Sequence, residues 1–198
     1  SISIKVMYVP LRAKRAEGAR KEERAMSTAV PIIRGEGEGE RLWFFGGALY
    51  TMKATAEETD GAFMLLEAQM VRGKPTPLHT HPHEDETIIV LEGEILFYVE
   101  GREHRVGPGG VAVAPRGVPH AFLVTSETTR VLALQTPGSG EPFYRDATEP
   151  ATAETDPGRP PEWDRLRAAA ERNPSCIQIL GPPPFEAARE GAAARAEA

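Results

Sequence analysis

Three histidines and one glutamate are the residues of this sequence whose types and spacing could support chemistry. His79 and His81 are separated by one residue, Glu86 begins the next apolar run, and His120 begins a later one. Imidazole nitrogens and carboxylate oxygens bind divalent first-row metals, and a six-coordinate ion with four protein ligands keeps two open positions. The sequence therefore predicts one divalent transition metal per chain that can also take water, oxygen or a bidentate substrate. Fe, Mn, Ni, Co, Cu and Zn all suit this ligand set, so the identity of the metal stays open.

Short β-strands are the elements that must position these residues. From about residue 32 to residue 136, runs of β-branched and aromatic residues alternate with turns rich in Gly, Pro, Asp and Glu, and no helical pattern separates them. Many short strands at near-regular spacing indicate an all-β sandwich or barrel. The predicted strands are Trp43–Thr51, Phe63–Val71, Glu86–Leu91, Ile95–Glu100, Val111–Ala114, His120–Val124 and Arg130–Gln135.

The alternation of side chains along each strand predicts that the four ligands converge. Successive side chains of a strand point to opposite faces, so His79 and His81 share one face. Glu86 and His120 each share a face with apolar residues two and four positions further along. If the three faces line one barrel interior, it can enclose a small ligand. The inward residues expected to form a substrate pocket, some of them ordinary core, are Phe63, Leu65, Ile88, Val90, Phe122 and Val124.

Two spaced motifs around these ligands resemble those of the cupin family. They are Gly73-x5-His79-x-His81-x4-Glu86-x6-Gly93 and Gly109-x5-Pro115-x-Gly117-x2-His120. The second motif departs at its last position, where Val124 stands in place of the usual Asn. The resemblance covers about residues 40–136. It implies a double-stranded β-helix, or jelly-roll barrel, with a metal held by His79, His81, Glu86 and His120.

Within this family, the single-domain length, the loop 79–87 and the C-terminal extension look most like bacterial monocupins of the quercetin 2,3-dioxygenase type. That resemblance implies a metal-dependent dioxygenase acting with O2 on a flavonol-like or other enolisable aromatic molecule. Glu86, a ligand, would also be the catalytic base that accepts the enol proton. Val124 makes the wall more apolar, which favours a hydrophobic substrate over a small dicarboxylate. Two alternatives stay open: a non-enzymatic small-molecule-binding cupin, such as a sensor or storage protein, and a metal-dependent isomerase or lyase.

Other polar residues are weaker candidates for the site. His83 has the same parity as the two preceding histidines, but Pro82 interrupts the strand, so it is a secondary candidate ligand. Lys74 and Arg116 are the nearest cations that could bind a phosphate, and both are expected in loops. His104 is expected at the surface, and Cys176 is expected to be a packing residue.

Composition excludes several classes of partner. The chain has 198 residues and a net charge of −6; residues 1–25 carry +4 and the remainder therefore −10. An acidic body argues against a nucleic-acid surface, which needs a basic stripe. No apolar run approaches the length needed to span a bilayer, so no membrane association is expected. A single cysteine precludes an intrachain disulfide, and the reduced cytoplasm is the default compartment.

Three segments are predicted along the chain. Residues 1–25 are charged and lack an apolar stripe, which predicts a disordered or non-native extension ahead of a natural start at Met26. The barrel is expected over residues 26–145. The C-terminal extension, 146–198, is expected to contain a short helix over Pro161–Arg172, with Asn173-Pro174 ending it. The strand-like stretch Leu42–Leu49 is expected to pair with a second copy in a homodimer.

Overall fold

The computed structural model describes residues 31–44, 46–152 and 162–185. Within these residues the strands are β1 Glu40–Phe44, β2 Ala48–Ala54, β3 Met64–Val71, β4 Leu78–Thr80, β5 Asp85–Glu92, β6 Ile95–Val99, β7 Arg102–Val106, β8 Val111–Ala114, β9 His120–Val124, β10 Thr128–Thr136, β11 Thr148–Pro150 and β12 Gln178–Gly181. The α-helices are α1 Glu141–Ala147 and α2 Trp163–Arg172, and a short 3-10 helix, Gly138–Gly140, precedes α1. The predictions for residues 1–26 lie outside the described residues.

The strands form two antiparallel sheets that pack face to face. The larger sheet has the order β11-β1-β2-β3-β10-β5-β8 and the smaller one the order β12-β4-β9-β6-β7. One apolar cluster joins both sheets, because Leu66 and Val90 of the first pack in the same core as Ile95 and Val124 of the second. This is the all-β, two-sheet architecture that the strand pattern predicts, with the helical C-terminal extension added to it.

Alternation of burial along β5 and β10 agrees with the predicted period of two. Glu86, Ile88 and Val90 are buried on β5 while the residues between them are half-exposed. Strand β9 is buried on both faces. Its inward face carries His120, and its outward Ala121 and Leu123 are covered by Phe185 of the C-terminal segment.

The motif glycine Gly93 makes the turn between β5 and β6. Its φ is +76°, and a Cβ at this position would lie 2.3 Å from the carbonyl oxygen of Thr128. Any side chain would therefore clash with the strand that follows β9, and only glycine accepts this backbone conformation without strain. The turn fixes where β5, and with it Glu86, enters the sheet.

The predicted inward parity of β3 is wrong. Met64, Leu66, Ala68 and Met70 face the core, whereas Leu65 is half-buried on the opposite face and Phe63 precedes the strand. Apolar residues occupy both odd and even positions at the start of this strand, so hydrophobicity alone does not indicate which of its two faces is buried. The polar residues Glu67 and Gln69 share the face of Leu65 and are the signal that could have decided the parity.

The predicted strand Trp43–Thr51 is also divided. Glycines 46 and 47 have positive φ and turn the chain between β1 and β2, which pair with each other. Strand β1 pairs with β11 on its other side, so Leu42–Leu49 offers no free edge to a second copy. The homodimer itself stays a prediction.

The C-terminal extension is part of both sheets. Strand β11 pairs with β1, and β12 pairs with β4. Helix α2 buries Leu166, Ala169 and Ala170. Among the described residues, neither helix is long and apolar enough to cross a membrane.

Candidate metal centre

The four predicted ligands come together between the two sheets. His79 lies on β4 directly opposite His120 on β9, His81 follows β4, and Glu86 comes from β5 of the facing sheet. All four are buried, and one ligand atom from each lies within 4.8 Å of the others. A jelly roll that places β4 and β9 beside each other and β5 across from them is sufficient to make the cluster.

Each of the three histidines is oriented by a backbone carbonyl. A carbonyl oxygen can only accept, so every Nδ1 carries a proton and every neutral ring keeps a lone pair on Nε2. This tautomer is the one in which Nε2 binds a metal while Nδ1 donates to a partner outside the site. The Nδ1 atoms of His79, His81 and His120 donate, respectively, to the carbonyls of Pro77 at 2.8 Å, Cys176 at 2.7 Å and Val118 at 2.9 Å.

Glu86 and His120 form a charged pair inside the cluster. His120 Nε2 donates to Glu86 Oε2 over 3.0 Å, so both ring nitrogens of His120 carry protons in this arrangement. Burial alone would lower the pKa of His120, but the hydrogen bond to Glu86 raises it above its ordinary value. Burial would raise the pKa of Glu86, yet the hydrogen bond from His120 and the neighbouring histidines hold it below its ordinary range.

This pair shows that the donor set fits a divalent cation. A cation would replace the proton shared by the imidazole and the carboxylate and leave both groups as ligands. Burial, then the neighbouring His120 and His81, hold the pKa of His79 well below its ordinary value. His79 is therefore neutral, the form of imidazole that binds metals.

Gln135 is a site residue that the sequence reasoning missed. Its Nε2 donates to the Tyr144 hydroxyl over 2.9 Å and lies 3.4 Å from Nε2 of His81. Gln135 is fully buried and follows Val131 and Ala133 on the inward face of β10. A polar residue at an inward strand position was the signal that could have found it.

An aromatic cavity adjoins the cluster. His79 and Glu86 form part of its wall, together with Phe143 of α1 and Trp163 and Leu166 of α2. The C-terminal extension therefore closes the space beside the predicted ligands. A cavity with mostly apolar walls and a few convergent polar groups is the usual form of a small-molecule site.

The predicted pocket residues divide into three groups. Ile88 and Phe122 line the cavity. Val90 and Val124 are buried in the core and do not line it. Phe63 and Leu65 also do not line it, because the face of β3 that meets the cavity is that of Leu66 and Ala68.

The weaker sequence candidates lie outside the cluster. His83 and His104 are exposed. Arg116 forms an ion pair with Asp85 at 3.0 Å on the surface. Cys176 is buried, and its backbone carbonyl orients His81. Lys74 differs from the expectation of a loop cation, because it is 3% exposed and lines the cavity.

Comparisons with known proteins agree with this geometry. Residues 67–135 match the family described as Cupin domain. A quercetin 2,3-dioxygenase of Bacillus subtilis is 30% identical to this chain over 140 residues, covering 70% of the chain. The chain is a cupin. It spans 41% of the length of that relative, so the alignment describes a part of the larger protein.

Two solved structures also align with this cupin. KdgF from a Halomonas species is 23% identical, with a TM-score of 0.48 over 54% of this chain and 93% of that one. An RmlC-like cupin from Shewanella frigidimarina is 19% identical, with a TM-score of 0.48 over 55% of this chain and 92% of that one. The family assignment rests on the sequence match and on the motifs.

Proposed function

We propose that this cupin is a metal-dependent dioxygenase acting with O2 on a flavonol-like or other enolisable aromatic small molecule. The observation that carries the proposal is the convergence of three carbonyl-oriented histidines and one carboxylate beside an aromatic cavity. His79, His81, Glu86 and His120 would hold one divalent transition metal per chain. A bound ion supplies Lewis-acid and redox chemistry at its open positions. The name of the Bacillus subtilis relative, a quercetin 2,3-dioxygenase, supports this reaction class.

The residues of the cavity suit a planar substrate. Phe122, Phe143 and Trp163 line the cavity, and aromatic side chains pack favourably against an aromatic molecule. Glu86 is the carboxylate in the wall nearest the predicted metal position, so we infer that it acts as the base that accepts the proton of the enolic hydroxyl. The charge left on the enol oxygen would then be held at the ligand cluster.

Metal analysis and oxygen uptake test the two halves of this proposal separately. The protein is stripped with a chelator and reloaded with Fe, Mn, Ni, Co, Cu or Zn, and bound metal is counted by elemental analysis. We expect one ion per chain, and a large loss of binding in His79→Ala. His104→Ala is the matched control, because His104 is an exposed histidine outside the cluster.

Oxygen consumption with 3-hydroxyflavone and quercetin then tests the reaction. We expect one O2 consumed per flavonol opened with at least one of the metals, and loss of turnover in Glu86→Gln. Flavonol binding without turnover under all six metals would instead indicate a binding protein. Conversion of substrate without oxygen consumption would indicate an isomerase or lyase. Either result would overturn the dioxygenase assignment.

A further inference from the structure

Gln135 presents a buried carboxamide to the same space as the predicted metal ligands. It is completely buried and follows Val131 and Ala133 on the inward face of β10. In the antiparallel pairing of β10 with β5 it stands directly opposite Glu86. Opposite residues of such a pair carry their side chains on the same face, with Cβ atoms about 4.5–5.5 Å apart. The Gln135 carboxamide and the Glu86 carboxylate are therefore neighbours between the two sheets.

The distance from Gln135 to His81 is close to that between adjacent ligands on one ion. Nε2 of Gln135 lies 3.4 Å from Nε2 of His81, and Nε2 of His120 lies 3.0 Å from Oε2 of Glu86. Ligand atoms at about 2.1 Å from an octahedral ion are about 3.0 Å apart when they are adjacent and about 4.2 Å apart when they are opposite. The end of the carboxamide thus lies within reach of an ion that His81 binds.

One atom of this carboxamide has no hydrogen-bond partner among the described residues. Nε2 donates to the Tyr144 hydroxyl over 2.9 Å, whereas Oε1 is buried and unpaired. Native proteins rarely leave a buried carbonyl oxygen in this condition, so the orientation of the side chain calls for an explanation. The lone pair on Nε2 of His81 favours an N–H group beside it, and this contact accounts for the orientation.

A bound cation reverses the preferred orientation of the carboxamide. It takes up the lone pair of His81 and attracts a carbonyl oxygen rather than an N–H group. Rotation about the last side-chain bond of glutamine exchanges Oε1 and Nε2 with little change in volume, and this torsion is soft. A hydroxyl donates as well as accepts, so Tyr144 would then donate to Oε1. The rotation leaves an N–H group, instead of the oxygen, unpaired towards Gly140, and the bond to the ion offsets that cost.

We propose that Gln135 is a fifth protein ligand, which binds the divalent metal through Oε1. Amide carbonyl oxygens are ligands of hard divalent ions, including Mn. This inference rests on the metal centre of the proposed function and does not depend on the reaction catalysed there. A six-coordinate ion with five protein ligands keeps one open position rather than the two expected from four. Because a neutral amide binds more weakly than a carboxylate, a bidentate substrate would displace it and gain the second position.

The number of water molecules on bound Mn(II) tests this ligand directly. The full chain is stripped with a chelator and loaded with one Mn(II), and the relaxation rate of water protons reports how many exchanging waters the ion holds. We expect one water in the native chain and two in Gln135→Met, a roughly twofold rise in relaxivity per bound ion. Methionine resembles glutamine in length, and its soft thioether is a poor ligand for Mn(II).

Metal affinity, measured by calorimetry against a competing chelator, is the second readout. Gln135→Met should weaken Mn(II) binding at least tenfold. Gln135→Glu offers a carboxylate oxygen at the same place, so it should bind Mn(II) at least as tightly as the native chain and keep the single water. A role in packing alone predicts weaker binding, because a buried carboxylate without a partner is unfavourable. Melting temperatures report on folding, and Gln135→Glu decides the test if Gln135→Met does not fold.

Controls separate a ligand from a group that only supports the site. Gln69→Met is the matched control, because Gln69 is exposed on the outer face of β3. Tyr144→Phe removes the hydrogen bond to the carboxamide but not the proposed ligand atom, so it should keep one water. Two waters on the native ion, or Gln135→Glu binding Mn(II) more weakly than the native chain, would overturn the inference.

Elemental analysis and oxygen uptake distinguish this inference from the proposed function. One ion per chain that is lost in His79→Ala, with the same water count and affinity in the native chain and Gln135→Met, would support the metal centre and refute the fifth ligand. A fifth ligand without oxygen consumption under any metal would refute the dioxygenase and leave the role of Gln135 standing.

Discussion

The buried ammonium of Lys74 predicts that replacing it stabilises the protein and that the gain depends on pH. The ordinary pKa of lysine, 10.5, falls to about 7 in the folded chain because burial disfavours the charged form. Between these values the unfolded chain binds more protons than the folded one, so the stability contributed by this group rises with pH. Below pH 7 the penalty is fully present, and it disappears as the pH passes 10.5.

The size of the effect follows from the two pKa values. At roughly 1.4 kcal/mol per pH unit, the difference corresponds to about 5 kcal/mol of destabilisation below pH 7. Between pH 7 and pH 9 the destabilisation decreases by roughly 2 kcal/mol, as the difference in bound protons between the folded and unfolded chains requires. Lys74→Met keeps an unbranched apolar side chain of similar length and removes the charge. Its free energy of unfolding should exceed that of the native chain, and the excess should shrink as the pH rises.

Urea denaturation of both proteins at pH 6, 7, 8 and 9 measures this excess. A chelator is present throughout, because a metal bound to the folded state alone would add its own stabilisation. The other groups that titrate in this range are common to both proteins and cancel in the difference. Arg167→Met, which removes an exposed charge, should show a flat difference. An excess that is independent of pH, or that grows between pH 7 and pH 9, would refute the assignment of a destabilised ammonium to Lys74.

Two further substitutions test packing and charge away from Lys74. A Cβ on Gly140 would lie 2.1 Å from Gln135 Oε1, so Gly140→Ala should lower the free energy of unfolding, measured in urea, by roughly 1–3 kcal/mol. Gly107→Ala is the control and should change it little, because a Cβ on Gly107 would meet open space. Equal effects of the two substitutions would contradict the prediction. The hydrogen bond from Arg34 lowers the pKa of Glu58 to about 2. The stability that this pair contributes, at most about 1 kcal/mol at the surface, should therefore be present above pH 4.5 and lost towards pH 2. A difference in the free energy of unfolding between the native and Glu58→Gln chains that persists at pH 2 would contradict this prediction.

The convergence of the four predicted ligands follows from short-range information. His79 and His81 are close in sequence, and the period of two fixes which residues face inward with Glu86 and His120 on β5 and β9. The structure places all four together. The orienting partner of His81 could not be predicted in this way. It is a carbonyl 95 residues later in the chain, at Cys176. Its position depends on how the C-terminal extension packs beside β4, with which β12 pairs.

Inward residues are predictable only where polar and apolar positions alternate cleanly. Glu86, Ile88 and Val90 satisfy this on β5, and their burial agrees with it. On β3 the run Phe63–Leu66 is apolar at both parities, so a face chosen from these residues alone is arbitrary.

Helix α1 was missed for a related reason. Seven residues beginning Glu141-Pro142 give too few turns for a helical period to be visible, and its two buried aromatic residues make it stable through packing instead.

Lys74 shows how one local irregularity decides the chemistry of a wall. The stretch Gly73-Lys-Pro-Thr-Pro77 has the composition of a loop, and prolines normally exclude a residue from a paired strand. The segment nevertheless pairs with β9, because the paired backbone groups belong to Gly73, Lys74 and Thr76, with Gly73 N and Thr76 N both donating to β9 carbonyls at 2.9 Å. The register shifts by one residue between the pair Pro75–Leu123 and the pair His79–His120. Because of this shift, Lys74 lies on the same face as His79 although the two residues differ in parity. Counting from His79 in steps of two would put Lys74 on the outer, exposed face. In the structure the residue is buried and lines the cavity instead.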